Sequence, residues 1–146
     1  MHGNADSGVR RMAAYGLAAV FAAVGGVFLA APGDVIVFFN SLSATLGMAP
    51  APAAGPSLYS ALAATYMYLV TILAWNMARQ PEEDVYARLL VHAKLASALF
   101  SFGLYLILGP YLVFLANGVV DGLIGAGVHF WFRRKVTVAR TGPGET

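Results

Sequence analysis

The chain has 146 residues, 59% of them hydrophobic and 11% charged, with a mean hydropathy of +0.70 and a formal charge of +2. A soluble domain carries about a quarter charged residues, so this little charge cannot cover a water-facing surface, and lipid must cover most of it. The basic residues flank apolar segments instead of forming a patch, which argues against a nucleic-acid partner. The lack of cysteine excludes disulfides, thiolate zinc sites, iron–sulfur clusters and cysteine nucleophiles.

The first apolar segment covers residues 12–31, behind Arg10 and Arg11. Its apolar core is longer than the ~7–15 residues of a secretory signal, so it is read as a first membrane span. Further spans are expected at about 57–78, 85–108 and 111–132, each near the ~20 residues that cross ~30 Å of hydrocarbon as a helix. Helices are required because segments this long and apolar must satisfy their backbone groups internally, and none alternates as a barrel strand does. The expected fold is all-α: an antiparallel four-helix transmembrane bundle forming a single integral membrane domain over residues 1–146.

With four spans, the nine basic residues (Arg10, Arg11, Arg79, Arg88, Lys94, Arg133, Arg134, Lys135 and Arg140) fall on or near one side. The 32–56 loop and the hairpin at Gly109 and Pro110 have none. The positive-inside rule then puts both termini in the cytoplasm; three or five spans would destroy the separation.

Within the first external loop, Pro32-Gly33-Asp34 offers a helix start with Asp34 as N-cap. Val35, Phe38, Phe39, Leu42 and Leu46 share one face of the helical wheel, with Asn40 and Ser41 opposite. This pattern fits a short amphipathic helix on the outer interface, or a loop that packs its aromatics over the bundle end. Residues 48–56 read as an extended connector, and the Gly142-Pro143-Gly144 tail as a mobile end.

Ala14, Ala18, Ala22, Gly26 and Ala30 recur every four residues in the first span, and Gly118, Gly122 and Ala126 in the fourth. Small residues at this spacing let helix backbones approach closely. The first stripe is expected to be a packing face, against the fourth span or another protein.

Polar residues at membrane depth carry the functional information. Asp121 stands mid-span, where a carboxylate costs ~2.5–3.5 kcal/mol on insertion scales, so it is a functional candidate by default. Asn117 precedes it by one turn. Lys94 shares a face of the third span with Ser97, Ser101 and Tyr105. Hairpin geometry puts Lys94 about one turn from Asp121, but side chains lean toward their own helix N-terminus, which separates the two in an antiparallel pair. Two arrangements follow: a direct ion pair, or a shared polar cavity with Ser97, Ser101 and Thr65, Tyr66 or Tyr68.

His92 and His129 fall at similar depth and are candidate haem ligands on that basis alone. Helical phase opposes the idea, since His92 points away from Lys94. His2 lies at the N-terminus, and three scattered histidines make a poor zinc site. No cofactor is expected. Tyr59, Trp75, Tyr111 and Trp131 read as interfacial belt residues. Glu82, Glu83 and Asp84 form a turn after Pro81, where acids favour the helix start that follows.

The stretch containing Lys94-Leu95-Ala96-Ser97, Pro110-Tyr111-Leu112 and Val120-Asp121-Gly122-Leu123-Ile124-Gly125 resembles a group of small, uncharacterised four-span bacterial membrane proteins. The resemblance covers mainly the second half of the chain. It implies a bacterial inner-membrane location and nothing about mechanism.

The sequence thus predicts a small multi-pass protein whose partners are membrane lipid and either further copies of itself or the subunits of a membrane complex. A non-enzymatic structural or accessory role is expected first, because no nucleophile, base and orienting group fall together. A proton-coupled carrier or ion pathway using Asp121 and Lys94 is the alternative, and a binder of lipid, quinone or haem the third.

Overall fold

The computed structural model describes residues 3–52 and 58–140, with five helices among them: α1 (Gly3–Ala30), α2 (Pro32–Thr45), α3 (Leu58–Arg79), α4 (Asp84–Ile107) and α5 (Leu112–Arg140). There are no strands among the described residues. His2, Ser57, the end of the connector and the Gly142-Pro143-Gly144 tail lie outside them, as do the side chains of Tyr59 and of the basic residues from Arg133 to Arg140. Four helices are long and apolar enough to cross a bilayer, and only 17–28% of the residues in their most apolar stretches are buried in the protein. The remaining apolar surface, Leu29, Leu99, Phe100, Leu106 and Ile107 among it, needs lipid to cover it. The chain is a multi-pass membrane protein.

The breaks between helices follow from local chemistry. α1 stops where Ala31 leaves the helical region, at φ −143° and ψ 55°, because a residue before proline is pushed out of the α conformation. Pro32 then opens α2 at N1, where its missing N–H costs nothing. This corrects the expectation for Asp34: it lies in the first turn of α2, Ala31 is the N-cap, and no side chain caps the helix. At the other end of α2, Gly47 has φ +66° and Met48 N–H donates to Ser43 C=O at 2.9 Å, the six-to-one bond of a Schellman stop. Gly109, at φ +139°, and Pro110 turn the chain from α4 into α5. Glu82, Glu83 and Asp84 are exposed at the α3–α4 turn, with Asp84 opening α4. α1 starts before residue 12 and α5 runs past residue 132: a nucleated helix propagates beyond its apolar stretch, so hydropathy marks the span and not the helix end.

α1 packs along α3 and α4 along α5, and the two pairs meet through α3 and α4. Each pair is antiparallel. Gly25 and Tyr15 of α1 face Met67 and Trp75 of α3; Gly118, Gly122 and Gly125 of α5 face Phe102, Ala98 and Leu95 of α4. The start of α1 and the end of α5 therefore lie on the same side of the bundle, opposite α2. The glycine stripe of the fourth span is a packing face, and its partner is α4.

The α1 stripe behaves otherwise. Ala14 and Ala18 are buried, but Ala22, Gly26 and Ala30 are exposed, and the packed face continues through Phe21, Gly25 and Phe28. Four residues advance a helix by slightly more than one turn, so a strict four-residue stripe drifts about 40° per step and walks off a straight contact.

α2 lies against α1 and α5. Ser43 is fully buried there, while Val37, Phe38, Leu42 and Leu46 are exposed. The exposed hydroxyls on this outer face are satisfied within the helix: Ser41 Oγ donates to Phe38 C=O at 2.7 Å and Thr45 Oγ1 to Ser41 C=O at 3.3 Å. The outward side of α2 is thus compatible with the apolar boundary of a bilayer. Asn40 fastens the connector to the helix. Its Nδ2 donates to Ala51 C=O and its Oδ1 accepts from Ala51 N–H, both at 2.8 Å.

Candidate functional site

α4 and α5 bring their polar residues to one seam because the spacings match. Lys94, Ser97 and Ser101 follow one another at intervals of three and four on α4, as Asn117 and Asp121 do on α5, so each set shares a helix face. Asp121 lies roughly ten residues, about 15 Å, from either end of the apolar stretch 112–131.

Lys94 and Asp121 form a direct ion pair. Lys94 Nζ donates to Asp121 Oδ1 at 2.7 Å, and the residues are only 2% and 4% exposed. Of the two arrangements open from the sequence, this is the one that forms. The Lys94 side chain does not follow the lean of its own helix. It leaves α4 beside Gly125, where an added Cβ would press Leu95 at 3.0 Å and stand in ordinary contact with Lys94 Cβ at 3.4 Å, and it extends toward the α2 end to meet Asp121. As a pair the two charges sum to zero, which lowers the cost of holding either at this depth.

Two aromatic rings complete the ammonium's surroundings. Lys94 Nζ stands 4.5 Å from the Phe21 ring centroid of α1 and 5.2 Å from that of Tyr66 of α3, within cation–π range. Tyr66 is held in turn by its hydroxyl, which donates to Ala93 C=O at 2.9 Å. All four spans therefore contribute to the ion-pair site.

Toward the α2 end, Asn117 Nδ2 donates to Ser101 Oγ at 2.7 Å and to Ser97 Oγ at 3.4 Å. Asn117 is exposed, Ser97 half-buried and Ser101 buried. Toward the chain termini the seam is apolar: Ala87, Leu90 and Val91 of α4, Val128 of α5, Val70, Ala74, Met77 and Ala78 of α3, and Ala14 and Ala18 of α1 form one buried cluster.

The five candidate residues Lys94, Asp121, Asn117, Ser97 and Ser101 are all brought together. Tyr66 joins them. Thr65 and Tyr68 are exposed, and Thr65 Oγ1 bonds to Ala61 C=O of its own helix. Phe21 was invisible in the sequence, since nothing polar marks it and its approach depends on how α1 docks. His92 is exposed and its Nδ1 lies 2.7 Å from the Arg88 carbonyl of its own helix. His129 meets Phe130 edge-on. Among the described residues no group of three or more His, Cys, Asp or Glu could hold a metal.

No family model matches this chain, and no curated protein or solved structure does either.

Proposed function

We propose that this is a non-enzymatic protein of a bacterial cytoplasmic membrane, with both termini cytoplasmic, that carries protons or a proton-coupled solute through the Lys94–Asp121 centre. The observation that carries this reading is the ion pair itself: a titratable carboxylate and an ammonium, 2.7 Å apart, midway along the spans. Intramembrane ionisable pairs mark ion pathways and proton relays. Protonating Asp121 would turn a neutral pair into a lone buried cation, retained only by the faces of Phe21 and Tyr66. That change of one charge in a low-dielectric seam is large enough to bias how the α1–α3 and α4–α5 pairs sit against each other. The orientation rests on the basic residues, which gather at the end opposite α2. The 32–56 segment is then external.

The test is proton flux into vesicles containing the purified protein and a trapped pH-sensitive dye. Wild type should dissipate an imposed pH gradient faster than empty vesicles, and the Lys94→Met, Asp121→Asn double variant, which keeps no charge in the seam, should not. Flux equal in both would overturn the reading. Reporter fusions after Ala54 should read periplasmic and fusions after Glu83 or Arg140 cytoplasmic; a cytoplasmic signal at Ala54 would overturn the orientation.

A second reading, an accessory subunit, is favoured by the lipid side of α1. Ala22, Gly26 and Ala30 are exposed there, and a Cβ added at Gly26 would meet no atom within 4 Å. A neighbouring helix could approach this surface closely.

A further inference from the structure

The buried residues are distributed unequally about the ion pair. On the side of the chain termini, all four spans supply buried apolar side chains, with Leu90, Val70, Ala74 and Ala78 at 0% exposure. Among the described residues the buried seam below Lys94 is apolar as far as Arg10 of α1, one turn beyond Ala14, whose Nε and Nη1 are buried. On the α2 side the described buried residues are few: Met67, which faces Gly25, then Ala98, Ser101 and Gly118, with Ser43 of α2 at the rim. There Asn117 Nδ2 donates to both Ser101 Oγ and Ser97 Oγ, and Asn117 is exposed. Among the described residues, Tyr66, at the level of Ser97, is the one further titratable group against the pair. α1 contributes only Phe21.

From this asymmetry we infer that in this conformation the Lys94–Asp121 centre exchanges protons with water from the α2 side, through a polar approach lined by Asn117, Ser101 and Ser97, while the apolar cluster around Leu90, Val91, Met77 and Val128 closes it from the other side until the two helix pairs shift. The inference rests on the proposed role of the pair and adds its sidedness. A hydronium ion arriving by this route gives its proton to a carboxylate oxygen of Asp121 and leaves as water; Lys94 keeps all its protons and loses only its counter-charge. The hydroxyl and amide groups suit water, because each offers both a donor and an acceptor. The alkyl side chains of the seal offer neither, and an ion there would lack any replacement for its hydration.

The absence of cysteine makes the test direct. Single cysteines are placed at Asn117 and Ser97 in the approach, and at Leu90 and Val128 in the seal. Ala49→Cys and Glu82→Cys, exposed at opposite ends, serve as side markers. Each variant, in sealed vesicles of known orientation, is treated with a membrane-impermeant cationic methanethiosulfonate from one side at a time. Asn117→Cys and Ser97→Cys should react only from the side that labels Ala49→Cys, at least tenfold faster than Leu90→Cys and Val128→Cys from either side. Ser97→Cys is nearly isosteric and stays informative if Asn117→Cys fails to assemble. Unreactive thiols at both approach positions would mean that Asn117 faces lipid, and would overturn the inference. So would reaction of Leu90→Cys or Val128→Cys, from the side that labels Glu82→Cys, as fast as that of the approach thiols. One-sided labelling without Asp121-dependent flux would uphold the access route and remove the transport role. Flux with unreactive approach thiols would do the reverse.

Discussion

Lys94 reaches Asp121 by extending away from its own helix N-terminus, across a part of α5 left bare by Gly125, to a contact of 2.7 Å. The pair is therefore a property of the α4–α5 seam and not of either helix. Gly125 stands beside the base of the lysine and makes room for Leu95, whose side chain an added Cβ would meet at 3.0 Å.

Removing one charge should cost more than removing both. Asp121→Asn leaves an ammonium buried without a counter-charge, and breaking a buried pair in this way destabilises by ~3–5 kcal/mol. Lys94→Met leaves a buried carboxylate without its partner and should likewise destabilise. The double variant should recover most of the loss, because two neutral side chains of similar size fill the same seam. Thermal stability of the purified protein, measured for both single variants and the double, gives the cycle. Additive losses would show that the two residues do not interact in the membrane.

Gly25 and Gly26 are adjacent and should respond oppositely. A Cβ at Gly25 would stand 2.9 Å from Met67 Cβ, the root of a side chain on the facing helix, while one at Gly26 meets nothing within 4 Å. Gly25→Leu should force α1 and α3 apart and lower stability by a few kcal/mol, about the upper range for overpacking. Gly26→Leu and Ala22→Leu should leave the isolated protein as stable as wild type. A loss confined to the oligomeric form in those two would locate a second copy on the lipid side of α1, which native-size measurement reads directly.

Span number and the inward polar faces were legible because both depend on quantities a sequence carries: length of apolar run and residue spacing. What failed depends on the partner surface. The lean of Lys94 argues against its pairing with Asp121, and the contacts that reverse it, with Asp121 of α5 and the rings of Phe21 and Tyr66, come from three other helices. The α1 stripe was legible as small residues, but its straightness was assumed, and the 40° drift turns Ala22, Gly26 and Ala30 outward. Phe21 lacked any signal, since an aromatic in an apolar span is as suited to lipid as to an ammonium. Asp34 stands three positions beyond the cap, at N3, because Pro32 at N1 fixes the helix start ahead of it.

Asn40 ties the connector after α2 back onto the helix through both of its side-chain atoms, a bidentate contact with Ala51 that mimics a strand pair. Two net hydrogen bonds of ~1 kcal/mol each set the scale of the loss in Asn40→Ala. The contact is local to the connector, so global thermal stability should change little. Limited proteolysis from the α2 side should instead show faster cleavage between residues 48 and 52. Unchanged cleavage would mean that the clamp contributes nothing to holding the segment.

The last prediction concerns the rings around Lys94. In the native protein the ammonium has Asp121, and the Phe21 face at 4.5 Å adds a second, weaker attraction. Once Asp121→Asn removes the counter-charge, the faces of Phe21 and Tyr66 are the remaining electrostatic partners among the contacts of Nζ. Phe21→Leu should therefore cost more in the Asp121→Asn background than in wild type. The excess should be of order 0.5–2 kcal/mol, the range of a desolvated cation–π contact. Leucine keeps most of the apolar volume, so the packing loss is common to both backgrounds and cancels in the cycle. A third background, Lys94→Met with Asp121→Asn, supplies the control: with no cation present, the excess should vanish. Thermal unfolding of the six proteins gives all three comparisons. An excess that persists without Lys94 would make Phe21 a packing residue alone. Its absence in the Asp121→Asn background would show that the ammonium, once unpaired, leaves the aromatic site for water on the α2 side.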